Sequence, residues 1–204
     1  MKVYTGTEIV SRVDTKEGIV FTTRDRRRIR ARYAVYSTGH EAQEISRNPN
    51  AKLLTTYALA TKPLQEITGW HKECMIWETA RPYLYMRTTG DGRIIIGGED
   101  ERIMTDEERA SRLAVKKDIL LQKAKELFPH LNLQPEYVWA GVFGATHDGY
   151  PMIGTQPGFP NSLFSLGYGG NGIVYSVLGA EIIAGLAKGR PHPGESLFRF
   201  DRKR

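Results

Sequence analysis

The sequence predicts an α+β fold of antiparallel sheet with helices, and three observations carry that expectation. Short apolar–polar alternations bounded by turn residues recur over residues 7–97, and an Asp-Gly pair joins two of them as a hairpin. Only two stretches show helical spacing, one near 105–128 and one near 172–188. The second is entered through "LFSLGYGGNG", where an apolar strand runs into a glycine knot before the helix begins.

In chain order, "TEIVSRVDTKEGIVFTTRDRRRIRARYAVYSTG" predicts three short antiparallel strands near 7–13, 18–23 and 29–37, a β-meander. Residues 53–62 form another β-rich run that ends at Pro63. In "IWETARPYLYMRTTGDGRIIIGGED" the strands are Tyr83–Thr88 and Arg93–Gly97, joined through Gly90-Asp91-Gly92. Thr105 with Glu108 makes a capping box, and apolar positions 110, 113, 120, 124 and 127 follow at helical spacing before Pro129. "EYVWAGVFGATHDGYPMIG" returns to strand and turn, and "SLFSL" is one more buried strand. The last helix, Gly172–Lys188, has its stop signal in Gly189 and Pro191. No internal repeat or low-complexity stretch interrupts the pattern.

A length of 204 residues with 40% hydrophobic content suits one large domain or two small ones. The longest apolar stretch, Ile173–Ala187, is broken by Gly179, Glu181 and Gly185 and is shorter than the roughly 20 residues that span a bilayer. With no secretory signal pattern at Met1, a cytoplasmic location is expected. The single Cys74 has no internal disulfide partner and is expected to be a packing residue. The net charge of +6 is concentrated in "RDRRRIRAR", Arg24–Arg32, which admits a basic binding module as an alternative function. No aromatic interleaves with these arginines to stack bases, so the solvated tip of a hairpin is the preferred reading and a nucleic-acid partner is not expected. His40, His71, His130, His147 and His192 show no metal-ligand spacing.

Gly167, Gly169 and Gly172 formally satisfy the dinucleotide pattern G-x-G-x-x-G, and Glu195 lies at the distance of a ribose-binding acid. Pro191, Pro193 and Gly194 argue against the strand that would carry Glu195, so that fingerprint does not apply as such. What remains is a glycine-rich backbone followed by a helix N-terminus, suited to close approach of a flat ligand with negative charge. A tight strand-to-helix turn whose glycines serve packing alone is the other reading.

"WAGVFGATHDGYPMIG" followed by "LFSLGYGGNGIVYSVLGAEIIAGLAKG" closely resembles the C-terminal signature of the D-amino-acid oxidase/glycine oxidase superfamily of FAD-dependent oxidoreductases, the DAO family. "TEIV" and "RIRARYAVYSTGHEA" resemble the late part of that family's FAD domain, and "PYLYMRTTGDGRIIIGGED" its substrate-domain hairpin. The resemblance implies an incomplete, Rossmann-like FAD-binding half at 1–45 and 146–204, with meander and C-terminal strand–helix, around a substrate-binding sheet and helix at 46–145. It implies FAD as cofactor, with contacts at Ile9, Thr38, Gly39, Gly154, Gly167, Tyr168, Gly169, Gly170, Asn171, Gly172 and Ile173. In the family the loop before the last helix runs beside the isoalloxazine ring, so "GYGGNG" is expected to stabilise charge at its N1–C2=O edge.

The resemblance also marks departures. The family's opening βαβ unit, with its pyrophosphate cradle, has no counterpart here, so the chain is expected to be a C-terminal portion. By itself it would be inactive and hold FAD weakly or not at all. Its meander and last helix would leave apolar faces for the missing Rossmann half or for self-association. Amino-acid-oxidising relatives commonly place an Arg where this chain has Phe143, and glycine oxidases place another where it has Gly170. A small-molecule amine or modified amino acid is therefore expected as substrate, its C–N bond oxidised by hydride transfer to the flavin. On "RPYLYMR" the two-residue period puts Arg81, Tyr83, Tyr85 and Arg87 on one face, and Tyr83, Tyr85 and Arg87 with Phe143 make the candidate substrate site. A solvated sheet face is the plain alternative. His147 and Asp148 sit in a turn where the family's Asp is structural, and no catalytic side chain is named.

Overall fold

The computed structural model describes residues 2–46, 48–102, 105–190 and 192–202. The chain divides into two units, Met1–Lys52 with Gly144–Arg204, and Leu53–Phe143. Pro191, expected in the stop signal of the last helix, lies outside the described residues.

The first unit begins with an antiparallel sheet of β1 (Ile9–Thr15), β2 (Gly18–Thr23) and β3 (Arg28–Ala31), in that order. The third strand is shorter than the expected 29–37. Pairing with β2 stops at Ala31, and after Arg32 and Tyr33 the chain enters a different sheet as β4 (Ala34–Tyr36). The difference comes from a distant partner, because β4 pairs in parallel with β11 (Ser162–Leu166), which pairs antiparallel with β10 (Met152–Gly154). Local alternation cannot report such pairing. A four-residue helix, α1 (Ala42–Ile45), follows β4. The arginine run turns at Arg26, which has φ +67°, and continues along exposed β3. Arg24 pairs with Glu8 and Arg27 with Asp25, so acids neutralise part of the run.

Met152, Phe164 and Phe200 form one small core, with Tyr36 stacked on Phe164 at 4.6 Å between ring centroids. On the other side of the strand pair, Ile153 packs with Ile182 and Phe198. Ile182 belongs to the last helix, α3 (Gly172–Ala187), which buries Gly179 beneath it. A side-chain carbon at Gly179 would lie 2.4 Å from Ser165 Oγ, so the helix sits this close only because residue 179 has none. Residues Glu195–Phe198 form a short 3₁₀ turn instead of the strand a dinucleotide fold would require. Arg202 ties its segment to the turn at 148–151. Its guanidinium donates to Asp148 through Nε at 2.8 Å and Nη2 at 3.1 Å, and to the carbonyls of Tyr150, Pro151 and Arg199, each at 2.9 Å.

The second unit is built on the five-stranded sheet ordered β6 (Ile76–Trp77), β7 (Leu84–Thr88), β8 (Ile94–Glu101), β5 (Ala51–Thr61), β9 (Pro135–Thr146), numbered along the chain, of which residues 51–52 and 144–146 are counted with the first unit. Helix α2 (Asp106–Leu127) packs on β8, and its capping box is formed in both directions between Thr105 and Glu108. Tyr57, Leu59, Leu84, Met86, Ile94 and Ile96 from the sheet meet Leu120, Ala124 and Phe128 in one core. Two of the apolar positions expected on the helix's inner face, Ala110 and Leu127, are exposed; Phe128, just past the helix, is buried and stacks on Trp70 at 4.7 Å. Cys74, expected as a packing residue, is exposed, because it follows a short 3₁₀ turn instead of lying on a core strand.

Candidate functional site

The glycine knot forms a backbone loop with two residues in the left-handed region, Gly167 at φ +72° and Gly169 at φ +54°. Gly169 N donates to Gly144 O at 2.9 Å, which fixes the loop within the first unit. An added side-chain carbon at Gly169 would meet nothing within 4 Å, whereas at Gly167 it would lie 3.0 Å from Thr146 Cγ2. Gly169 thus presents bare backbone to open space, and Gly167 is held bare by close packing. Gly172 has a negative φ, and Tyr168 Cδ2 at 4.0 Å is the single neighbour a side-chain carbon there would meet. The strict glycine requirement therefore sits one turn earlier than the third glycine of the pattern. Tyr168 is anchored through its hydroxyl, which donates to Ser165 Oγ at 2.5 Å.

Asn171 is the N-cap of α3, yet its side chain makes no capping hydrogen bond, and no acidic residue stands in the first turn. The first N–H groups of the helix therefore keep their partial positive charge without a side-chain acceptor. Ile173 in that turn is 87% exposed, with Val174 and Val177 also exposed. The parallel β4–β11 pair brings Thr38 and Gly39 to the same end of the sheet as this loop, since both follow the carboxyl ends of neighbouring strands. Gly39 has φ +62° and open space around it. Gly154 is elsewhere. It is buried on β10, and a side-chain carbon there would point at Leu186 Cδ1, 3.9 Å away near the far end of α3. Ile9 lies in the meander sheet, paired with Thr23, and is exposed.

In the unit Leu53–Phe143, Tyr83 immediately precedes β7 and Tyr85 lies within it, with ring centroids 6.2 Å apart. Leu84 and Met86 point to the opposite, buried side. Arg81 lies over the Tyr83 ring at 4.8 Å, and Trp77 stands 6.3 Å from it. The glycine pair of "IIIGGED" makes room for these rings. A side-chain carbon at Gly97 would lie 2.3 Å from the Tyr85 ring, and one at Gly98 would lie 2.0 Å from Tyr83 O. Asp100, which the sequence reading did not single out, reaches the Tyr83 hydroxyl. Burial first, then the Asp100 charge, pushes the Tyr83 phenol well above its usual range, and the same two causes raise Tyr85. The signal for Asp100 was its position just after the glycine pair on the neighbouring strand. Phe143 is half-buried on β9. His147 and Asp148 form no isolated acid–base pair, since Arg202 holds the Asp148 carboxyl down at about 2. Among the described residues no group of three His, Cys, Asp or Glu side chains is placed to hold a metal, and no helix is long and apolar enough to cross a membrane.

Comparison with known proteins bears on the family and the fold. The chain is 34% identical over 106 residues to a glycine oxidase of Pseudomonas aeruginosa, an alignment covering 49% of this chain and 27% of that protein. A glycine oxidase of Bacillus subtilis is 33% identical over 87 residues, covering 41% of this chain and 24% of that one. Among solved structures, glycine oxidase from Geobacillus kaustophilus superposes with a TM-score of 0.73 at 18% identity, covering 98% of this chain and 53% of its own. A thermally stable mutant of fructosyl peptide oxidase gives a TM-score of 0.72 at 11% identity, covering 96% of this chain and 52% of that one. The chain thus spans about half the length of these solved relatives, and at such identities they show the fold. Residues 1–186 match the family model described as FAD dependent oxidoreductase, and the chain belongs to that family, DAO.

Proposed function

We propose that this chain forms part of a flavoenzyme that oxidises the C–N bond of an amine or modified amino acid by hydride transfer to FAD. The observation that carries the reading is the open, left-handed Gly169 set before an uncapped helix N-terminus with no acid in its first turn. Such a loop fits the edge of a flat ring that becomes negatively charged. When bound, FAD supplies the hydride acceptor. The residues of the chain do the rest. The backbone around Gly169 lets the ring approach, the N–H groups at Gly172 and Ile173 stabilise negative charge at its pyrimidine edge, and Thr38 with Gly39 lines the same end of the sheet. Tyr83, Tyr85 and Arg87 form the substrate face. Phe143 and Gly170 stand where amino-acid-oxidising relatives carry arginines, which disfavours a simple α-amino acid held by its carboxylate.

A pyrophosphate cradle of the G-x-G-x-x-G kind opening a βαβ unit is absent from these 204 residues, so the chain by itself is expected to lose FAD on gel filtration and to show no turnover. Stoichiometric flavin in the eluted protein would overturn that part. In a protein that contains this chain and retains FAD, Gly169→Leu is expected to lower flavin content or its anaerobic reduction by amines. The forced left-handed side chain costs about 1–2 kcal/mol and intrudes on the ring's approach. Unchanged flavin content and reduction rate in that variant would reject the loop assignment.

A further inference from the structure

The three consecutive acids of β8 are treated very differently. Glu99 receives Lys123 Nζ at 2.6 Å and Lys116 Nζ at 3.3 Å. Glu101 receives the Tyr57 hydroxyl at 2.8 Å and Arg112 Nη1 at 3.0 Å. Asp100, between them, meets the Tyr83 hydroxyl, while its Oδ1 is buried and has no hydrogen-bond partner among the described residues. The charges of Arg81 and Arg87 act on the Tyr83 and Tyr85 hydroxyls, yet neither guanidinium reaches that oxygen.

A buried carboxylate oxygen without a donor is a costly feature that a ligand bearing N–H groups relieves. Its surroundings point to the kind of ligand. Tyr83 and Tyr85 stand side by side, Trp77 flanks Tyr83, and Gly97 keeps the backbone flush against the Tyr85 ring. Ring faces attract cations and pack against methyl groups, so a carboxylate beside aromatic rings suits an alkylated ammonium ion. Burial and then the Asp100 charge push both phenols up, so Asp100 is the acid that acts on both hydroxyls.

We propose that Asp100 is a specificity-determining residue that binds the positively charged nitrogen of the substrate, an alkylated ammonium group seated against Tyr83 and Tyr85. The assignment rests on the reading of the chain as part of an amine-oxidising flavoprotein, but binding of the cation requires no flavin. It also gives the absence of arginine at Phe143 and Gly170 a counterpart, because recognition moves from the carboxylate of the substrate to its nitrogen.

The test uses the 204-residue chain with carbon-13-labelled tyrosine, titrated with dimethylammonium chloride and, separately, with sodium acetate while ring resonances are followed by NMR. Tyr83 and Tyr85 are expected to shift saturably with dimethylammonium and not with acetate. Asp100→Asn is expected to weaken that binding by about tenfold or more, in keeping with loss of a charge-assisted hydrogen bond, with the Tyr57 resonance unmoved as a check of the fold. Equal affinity in Asp100→Asn, absence of a saturable shift, or tighter binding of acetate would overturn the proposal, the last by making Arg81 and Arg87 the recognising groups. Should Asp100→Asn fail to fold, the comparison of the two probes on the unaltered chain decides. A protein that reduces its flavin with amines but shows no dimethylammonium shift rejects the Asp100 assignment alone; saturable binding without flavin reduction rejects only the oxidase reading.

Discussion

The two units of the chain use apolar residues differently. In Leu53–Phe143 the sheet has its own helix, and Tyr57, Leu59, Met86, Ile94, Ile96 and Leu120 are almost wholly buried in one core. In the other unit the cores are two small groups around Phe164 and Ile153, while Ile9, Val10, Val13, Ile29 and Val35 on the strands and Ile173, Val174 and Val177 on α3 remain exposed. A sheet covered by an amphipathic helix buries its apolar face from within. Helix α3 covers the β10–β11 pair but leaves the meander strands and its own first turns uncovered, and those first turns adjoin the glycine loop.

The largest expected effect tests the self-contained core. Leu120→Ala removes a fully buried side chain at the helix–sheet contact and should cost about 2–5 kcal/mol. All three tryptophans, Trp70, Trp77 and Trp139, belong to this unit, so their fluorescence during urea unfolding reads its stability directly. A loss below about 1 kcal/mol would mean that the core is looser than its burial indicates.

An intermediate effect separates the units by pH. Arg202 lowers Asp148 to about 2 from its ordinary 3.8, so this pair stabilises the folded state above pH 4 and the contribution is lost as pH falls toward 2. Arg202→Ala should cost about 1–2 kcal/mol near neutrality and flatten that acid response. In the other unit, burial and then Glu101 push Tyr57 up to about 12, so its contribution is complete below pH 10 and lost as pH rises from 10 toward 12. Circular dichroism across both ranges, with tryptophan fluorescence as the reporter of Leu53–Phe143, would break the comparison if the acid and alkaline responses fell in the same unit.

The smallest effect on stability belongs to the exposed face. Ile173→Ser and Val177→Ser should change unfolding free energy by no more than about 0.5 kcal/mol, since neither side chain is packed. They should lower self-association at high concentration, measured by sedimentation, because they remove apolar surface from one face of α3. An equal loss of stability in these variants and in Leu120→Ala would erase the distinction between the units.

Much of this was legible from local residues. The Asp-Gly hairpin, the Thr105–Glu108 capping box and the glycine-bounded last helix each depend on a few neighbouring side chains whose conformational preferences act over one turn. The loop at 167–172 was legible for the same reason, although of its three patterned glycines the structure requires Gly167 and Gly169 by their positive φ and not Gly172. Cys74, Ala110 and Leu127 misled because apolar character states a preference for burial without naming the element that would cover the side chain.

The sequence by itself determined the antiparallel hairpins, the two long helices and the residue types each segment offers, because periodicity and turn residues act locally. Only the tertiary structure decided that β4 leaves the meander to lie parallel to β11, that Arg202 closes on Asp148, and that Asp100 meets Tyr83 while Glu99 and Glu101 find cations and a hydroxyl. Those outcomes are pairings between segments distant in the chain or on neighbouring strands, and which partner is met depends on packing of the whole unit, a quantity no short window of residues contains.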